Sequence, residues 1–400
     1  MATTANRQRI QSTMPSAPKT IATSRLLELL WTGQPPGPAT TTVSQPATEA
    51  DWLQVLALAA RHSLAPLLAA EVLSRTDLEI PASVVAQLTA TRARAARRAL
   101  AQIAELLRVQ AAFQREGIPV LTFKGQLLAE QAYGDVSLRS CFDLDIFVPE
   151  ADVLRAKQVL LTLGYRAEFA LLPHQEADLL RIECEYPFNH PTSRAQIDLQ
   201  WRARARYFSF PLPAEDLWQR SIGTTLAGHA VNTFAPEDLT LLLLVHGAKH
   251  TWSKLEQLCA LAAWIERNPG LDWTAIERRA EATGARRILL LGVQLLATWF
   301  ATPVPAPLVR AAAQEPRVVQ LARELSLPWF TPEAAPLGVL PALRLHLRMR
   351  ERLPDRVRHC FWLAVTPTVN DWLAFRLPPA LHALHYCFRP LRLLKPKPRL

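Results

Sequence analysis

The sequence predicts an α+β protein in which a small mixed sheet forms a core between an N-terminal and a C-terminal helical region. Two observations lead to this fold class. Apolar residues recur at helical spacing before residue 114 and after Pro236, whereas the segment between them contains short alternating runs that are typical of strands. Half of the 400 residues are hydrophobic, so the chain can bury a substantial core.

Composition and periodicity divide the chain into five predicted segments. The first is polar and lacks the apolar run of a secretory signal, so we expect a disordered tail. The segments are the tail at 1–23, the N-terminal helical region at 24–114, the mixed-sheet core at 115–235, the C-terminal helical region at 236–340 and a basic tail at 341–400.

The basic tail holds twelve Lys or Arg residues against three acidic ones, in a chain with a net charge of +10. Such a charge can attract an anionic partner, which can be nucleic acid, anionic lipid or an acidic protein. Arginine-rich helix faces that are only solvated are also common, and the sequence leaves both interpretations open.

Cysteine usage and apolar length bear on the location of the protein. Five widely spaced cysteines include no C-x-x-C pair, which argues against a disulfide framework and favours a reducing cytoplasm. The longest apolar stretch, at 288–301, is shorter than the roughly 20 residues of a membrane span. We therefore expect a cytoplasmic protein with no transmembrane segment.

Short elements follow one another within the predicted core. A strand at 118–123 leads through Lys124-Gly125 into a helix at 126–133, and 141–148 alternates as a strand with two different faces does. The remaining predicted elements are a helix at 150–163 closed by Gly164, a strand at 165–169 and a hairpin of 182–188 with 195–201.

Helices are predicted on both sides of this core. The N-terminal apolar spacing is interrupted by a loop at 33–47, which is rich in Pro, Thr and Gly. After the core, prolines beyond Pro303 predict short helices and turns. The clearest C-terminal helices are predicted at 239–250, 255–266, 273–283 and 288–300.

Three aspartates are the leading candidates for chemistry. Asp143 and Asp145, at i and i+2, project from one face of their predicted strand, and Asp198 faces away from the apolar side of a later strand. Carboxylate oxygens of this kind hold Mg²⁺ or Mn²⁺, and such ions assist phosphoryl transfer. An Asp-x-Asp pair alone is weak evidence, because carboxylates at strand ends are often only solvated.

Basic and histidine residues supply the other candidates. Lys124 and Gly125 stand at a strand-to-helix turn, where free backbone N–H groups can hold a triphosphate, and the planar fork of Arg139 can bind a phosphate. His246 and His250 lie at i and i+4 on a predicted helix. These two histidines, with Lys249 beside them, can contact a nucleotide phosphate, hold zinc or pack against the core.

The motifs then resemble a known family. The matching runs are Leu-Thr-Phe-Lys-Gly at 121–125, Leu-Arg at 138–139, Asp-Leu-Asp-Ile-Phe-Val at 143–148, Leu-Gly-Tyr at 163–165 and Ile-Asp-Leu-Gln-Trp at 197–201. Their order and spacing resemble the bacterial uncharacterised nucleotidyltransferase family, a branch of the polymerase-beta-like superfamily. The likeness extends over about 24–394 and includes the His-Gly-Ala-Lys-His run at 246–250.

The resemblance implies a fold and an activity. It implies a nucleotidyltransferase core that moves a nucleoside monophosphate from a nucleoside triphosphate to an acceptor, with Asp143, Asp145 and Asp198 as metal ligands. The acceptor is unknown, and the lack of a recognisable RNA-binding module favours a small molecule, a peptide or a protein over nucleic acid.

Two departures from the family pattern suggest a second interpretation. Gln200 stands where the family usually has a histidine, and Ala260 lies near a position where it tends to have an aspartate. The alternative is therefore a non-catalytic nucleotide-binding or partner-binding protein on the same fold. A third interpretation is an adaptor that docks through its basic tail.

Overall fold

The structure of the protein is a computed structural model. It describes residues 48–208, 210–300, 302–330, 338–375, 377–378 and 381–393, together with Leu26 and Leu30, which are helical and buried. The predicted tail at 1–23, the predicted loop at 33–47 and the end of the basic tail from residue 394 lie outside the described residues.

Between residue 48 and the sheet lie three helices, namely α1 (Glu49–Arg61), α2 (Ala65–Ser74) and α3 (Ala82–Arg115). A capping box starts α1, because the Asp51 amide donates to the Thr48 hydroxyl and the Thr48 amide donates to the Asp51 carboxylate, each over 3.2 Å. Helix α3 is 34 residues long and contributes to two hydrophobic clusters. Its first half packs with the other helices, and its second half packs on the sheet.

A five-stranded mixed sheet lies at the centre, in the order β1-β2-β5-β4-β3. Strands β2 and β5 are parallel, and the other neighbouring strands are antiparallel. The strands are β1 (Leu121–Thr122), β2 (Leu144–Phe147), β3 (Arg166–Ala167), β4 (Glu185–Asn189) and β5 (Gln196–Gln200). The helices between them are α4 (Gly125–Tyr133), α5 (Val153–Thr162) and α6 (Pro173–Ile182). The predicted α+β class is confirmed.

The two faces of the sheet differ in chemistry, because side chains alternate along each strand. Ile146 and Leu199 point to one face and are fully buried with residues of α3, α5 and α6. Phe147 points to the other face and packs in the cluster of the C-terminal helices. Asp145 and Asp198 share this second face, so the candidate site opens toward the C-terminal helices.

The structure corrects one predicted strand and adds elements that the sequence did not reveal. The run at 182–188 is not one strand, since Ile182 ends α6 and β4 begins at Glu185. Pro173 starts α6, and Leu179 and Ile182 give it an apolar face. The predicted hairpin of β4 with β5 is confirmed in register.

A second hairpin, β6 (Ile222–Leu226) with β7 (His229–Thr233), was also unpredicted. Its turn residues Ala227 and Gly228 have φ values of +49° and +80°. Two such residues in succession form the tight turn that hairpins favour, usually with Asn-Gly or Asp-Gly. Alanine rarely takes this conformation, so the local sequence gave little sign of the turn.

The C-terminal half is helical, and the four helices predicted there are confirmed. Its part beyond Pro303 is more regular than the prolines suggested, because several prolines start helices instead of breaking them. The helices are α7 (Ala214–Gln219), α8 (Pro236–Lys249), α9 (Leu255–Arg267), α10 (Trp273–Ala282), α11 (Arg286–Trp299), α12 (Ala306–Gln314), α13 (Pro316–Ser326), α14 (Val339–Arg348), α15 (Leu353–Val365), α16 (Val369–Ala374) and α17 (Leu384–Leu393).

Several described arginines of the basic tail form ion pairs or hydrogen bonds within the protein. Arg389 and Arg392 both pair with the buried Asp371, over 2.8 and 2.6 Å. Arg350 donates to the backbone carbonyls of His346 and Phe208. The contact of Arg350 with Phe208 ties the tail to the rest of the chain, while the other contacts join parts of the tail to one another, and the anionic partner stays a prediction. None of the described helices has the length and apolar character that crossing a membrane requires.

Close packing at Gly247 of α8 gives a test of the fold. A Cβ at this position would lie 2.5 Å from ring carbons of Trp252, which is fully buried. We expect Gly247→Ala to lower the free energy of unfolding by about 1–3 kcal/mol, the usual cost of overpacking. The matched control is Gly270→Ala, where nothing lies within 4 Å of the added carbon. Equal urea midpoints for the two variants would contradict this packing.

Candidate active site

The register of β2 and β5 brings two of the three predicted carboxylates together. Asp145 and Asp198 are direct partners across the parallel pair. Neighbouring strands lie about 4.8 Å apart, and partners in register point to the same face. The carboxylates of Asp145 and Asp198 are therefore neighbours, although they come from distant parts of the sequence. Asp143 lies just before β2, two residues from Asp145.

Asp145 is the centre of a buried polar network. Its Oδ1 accepts hydrogen bonds from the Nζ of Lys124 at 3.1 Å and from the Nε2 of Gln200 at 2.5 Å. All three side chains are less than a tenth exposed. A buried carboxylate needs such donors, because leaving its charge unpaired would cost several kcal/mol.

Lys124 also marks the start of α4. The next residue, Gly125, has φ of +57°, which is a conformation that glycine adopts without strain. No side chain caps the N-terminus of α4, so the backbone N–H groups of its first turn have no partner within the helix. The predicted phosphate cradle is therefore placed beside Asp145, through the contact between Lys124 and that carboxylate.

Burial and neighbouring carboxylates raise the pKa of Asp198 and of Asp143. Burial, followed by the charges of Asp145, Glu185 and Asp143, raises the pKa of Asp198 to about 8. Burial and the charge of Asp145 likewise raise the pKa of Asp143. Glu185 reaches this group because it pairs with Gln200 across β4 and β5. Negative charge is thus concentrated at this end of the sheet.

This concentration of charge bears on whether the three aspartates fit a divalent cation. Three carboxylates supply the hard oxygen ligands that Mg²⁺ or Mn²⁺ requires, and a cation would relieve their mutual repulsion. Among the described residues, however, no group of three or more His, Cys, Asp or Glu side chains is already arranged to hold a metal ion. The donor chemistry fits, and Asp145 would have to exchange its contact with Lys124 for the ion.

Arg139, predicted to bind phosphate, is engaged with the C-terminal helices. Its Nε donates to Oε1 of the buried Glu256 at 2.5 Å, and its Nη1 lies 3.5 Å from the Sγ of Cys141. Glu256 lies on α9, one turn before the Ala260 that departs from the family pattern. An acidic group is therefore present on α9, and it links that helix to the segment before Asp143.

His246 of α8 and His250, the residue after its end, have tilted rings whose centroids lie 4.6 Å apart. Burial and the charges of Lys124 and Arg204 hold the pKa of His246 well below its usual range, so the ring is neutral at pH 7. His250 is partly accessible to solvent. Desolvation by the surrounding protein, followed by the charge of Lys249, nevertheless lowers the pKa of His250 to about 3. The Nζ of Lys249 lies 4.0 Å from Oε1 of Glu185. All three thus lie near the candidate site, and their binding role stays a prediction.

Two residues of the site were not recognised as contributors from the sequence. Gln200, noted only as a departure from the family, donates directly to Asp145. Arg204 is buried beside Lys124 and Gln200, in the lining of one small cavity. The alternation along β5 gave the face of Gln200, but Arg204 follows a bend after the strand, where periodicity no longer applies.

A family model agrees with the motif analysis. A protein-family model described as uncharacterised nucleotidyltransferase matches residues 48–301, more than half of the chain. No curated protein matches it. The solution structure of the antibiotic-resistance factor ANT(2'')-Ia is similar at 16% sequence identity, over 47% of this chain and 94% of that chain, with a TM-score of 0.33. The family match includes every candidate site residue.

The raised pKa of Asp198 predicts a pH effect on stability. A carboxyl group with a folded pKa near 8 and an unfolded pKa near 4 contributes stability that is present below about pH 4 and is lost as the pH rises toward 8. With EDTA present, we expect the free energy of unfolding to fall less between pH 5 and pH 8 in Asp198→Asn than in the wild type. Urea titrations at both pH values measure this, and parallel declines would contradict the assigned pKa.

Proposed function

The chain belongs to the uncharacterised nucleotidyltransferase family, and from this premise we propose that it transfers a nucleoside monophosphate from a nucleoside triphosphate to an acceptor, with release of pyrophosphate. The observation that carries the proposal is the register of Asp145 against Asp198, with Lys124 and the N-terminus of α4 beside them. This arrangement puts acidic oxygens next to groups that bind phosphate.

In this proposal Asp143, Asp145 and Asp198 hold Mg²⁺ or Mn²⁺. The bound ion supplies positive charge that neutralises the phosphate oxygens and the departing pyrophosphate. Lys124 contacts Asp145 in the described structure, so its ammonium group is already positioned where negative charge collects. It would turn from the carboxylate toward a phosphate when nucleotide binds.

Other groups of the chain orient the triphosphate. The first N–H groups of α4 point along the helix axis and favour a phosphate at its N-terminus. Arg139 is held in place by its ion pair with Glu256. Its remaining N–H donors would bind phosphate oxygens of the nucleotide. Lys249, His246 and His250 lie at the C-terminal end of α8, on the side of the C-terminal helices, and would contact the phosphates or the base from there.

The reaction is a substitution at the α-phosphorus. An acceptor hydroxyl oxygen forms a bond to this phosphorus, while the bond from the phosphorus to the bridging oxygen of the β-phosphate breaks. Asp198, in its deprotonated form, accepts the hydroxyl proton, and pyrophosphate leaves with the bonding electron pair. Asp198 suits this part because its carboxylate, unlike that of Asp145, accepts no hydrogen bond from a described side chain.

We infer that the acceptor is a small molecule, a peptide or a protein rather than nucleic acid, since no recognisable RNA-binding module accompanies the core. A cytoplasmic location is part of the same proposal. All five cysteines lie in the described part of the chain and carry free thiols, two of which are exposed. Free exposed thiols are typical of a reducing compartment.

Replacement of the central carboxylate tests the enzyme proposal. We expect Asp145→Asn to lower the rate of nucleotidyl transfer roughly a hundredfold or more, because a metal ligand lost from the transition state costs several kcal/mol. The assay incubates the protein with labelled nucleoside triphosphates and a cell extract and follows transfer of label. Asp216→Asn, at a partly exposed position of α7, is the control and should retain full activity. Equal activity of Asp145→Asn and the wild type would contradict the proposal.

Metal-dependent binding separates the enzyme from its non-catalytic alternative. We expect calorimetry to show nucleoside triphosphate binding to the wild type that requires Mg²⁺, and no such binding to the double variant Asp143→Asn, Asp145→Asn. The reason is that two of three ligand charges are removed while side-chain volume is kept. Binding without any transfer of label would favour the non-catalytic alternative, and binding that is independent of metal would exclude the proposed site.

A further inference from the structure

Arg204 is a buried arginine that forms no hydrogen bond and no ion pair in the described part of the chain. Its side chain is 7% exposed, and its Nε has no hydrogen-bond partner. None of the described carboxylates forms an ion pair with it, and no described oxygen accepts a hydrogen bond from its guanidinium group. An arginine stays charged at any pH a protein experiences, so its burial carries a large desolvation cost.

Other arginines buried to the same degree donate several hydrogen bonds to the protein. Arg287 is 8% exposed and donates to Glu315 and to the carbonyls of Arg348 and Arg350. Arg350 is 3% exposed and donates to two carbonyls through its Nη atoms, although its Nε has no hydrogen-bond partner. In this fold, a buried guanidinium group with a structural role therefore donates hydrogen bonds to oxygen atoms of the protein. Arg204 lacks such contacts, which distinguishes it from a core arginine.

The surroundings of Arg204 point to an anionic ligand. It lines one cavity together with Lys124 and Gln200, the two residues that donate to Asp145. Phe123 and Phe147 form apolar walls of that cavity. Nearby His246 is neutral, and the charge of Arg204 helps to keep it so. Two cations, Lys124 and Arg204, thus line a largely apolar cavity whose lining includes no carboxylate, and an incoming anion would give Arg204 the hydrogen-bond acceptors that it lacks.

We propose that Arg204 binds the triphosphate chain of the nucleotide, beside Lys124 and the N-terminus of α4. This inference rests on the proposed function and adds a binding residue to it. The planar fork of Arg204 would donate two hydrogen bonds to phosphate oxygens, and the apolar walls would strengthen them by excluding water. The same contact would retain pyrophosphate until the transfer is complete.

The test compares Arg204→Met with the wild type and with Arg206→Met. Methionine keeps an unbranched apolar chain and removes the charge. Arg206 is an exposed arginine two residues further on, whose guanidinium lies 5.6 Å from the ring centroid of Trp362, and it serves as the matched control. Calorimetry with inorganic pyrophosphate and Mg²⁺ measures affinity, and thermal unfolding of the free proteins measures stability.

We expect Arg204→Met to weaken pyrophosphate binding roughly ten- to a hundredfold, the usual factor for losing a hydrogen bond to a charged group. The melting temperature of the free variant should stay the same or rise, because an unpaired buried charge has been removed. Arg204→Lys, which keeps the charge without the fork, should recover part of the affinity. Arg206→Met should bind as the wild type does.

Unchanged affinity in Arg204→Met would overturn the inference. If the melting temperature falls as well, the role of Arg204 is structural. If the wild type binds neither pyrophosphate nor any nucleoside triphosphate, the inference and the proposed function fail together. If the wild type binds both ligands and Arg204→Met binds them equally well, the inference fails alone.

Discussion

The parallel pairing of β2 with β5 is the constraint on which the candidate site depends. A shift of one residue in this register would turn Asp198 to the apolar face of the sheet and would move Ile197 and Leu199 out of it. The buried apolar face prevents that shift, because every second residue of β5 packs against α3, α5 or α6. Packing on one face thus fixes the chemistry on the other. The hairpin of β4 with β5 adds Glu185 and fixes Gln200 in the same arrangement.

Charge balance is the second physical theme of the site. Asp145 is held by Lys124 and Gln200, while burial and the charges of Asp145, Glu185 and Asp143 raise the pKa of Asp198. Arg204 remains buried and unpaired a short distance away. The site contains an unpaired positive charge and several closely spaced acidic groups. Both lower the free energy of unfolding of the ligand-free protein. A ligand that carries both a divalent cation and a phosphate chain would relieve both costs together.

Much of this arrangement followed from sequence patterns. Alternation in 143–148 and 197–201 gave the faces of Asp143, Asp145 and Asp198, and the Lys-Gly turn gave the start of α4. Sequence patterns did not give the contact of Arg139 with Glu256, which joins segments more than a hundred residues apart. They also missed α6 and the β6–β7 hairpin, where Ala227 takes a conformation that alanine rarely adopts. Burial of Arg204 depends on the whole fold and has no local signal.

The central claim is that Asp145 and Asp198 hold a divalent cation at this end of the sheet. Anomalous diffraction from crystals grown with Mn²⁺ and a non-hydrolysable nucleoside triphosphate tests it most directly. The account predicts a manganese peak within roughly 2.0–2.6 Å of carboxylate oxygens of both residues, with Lys124 moved from Asp145 to a phosphate. A manganese ion bound elsewhere, with Lys124 still on Asp145, would contradict it.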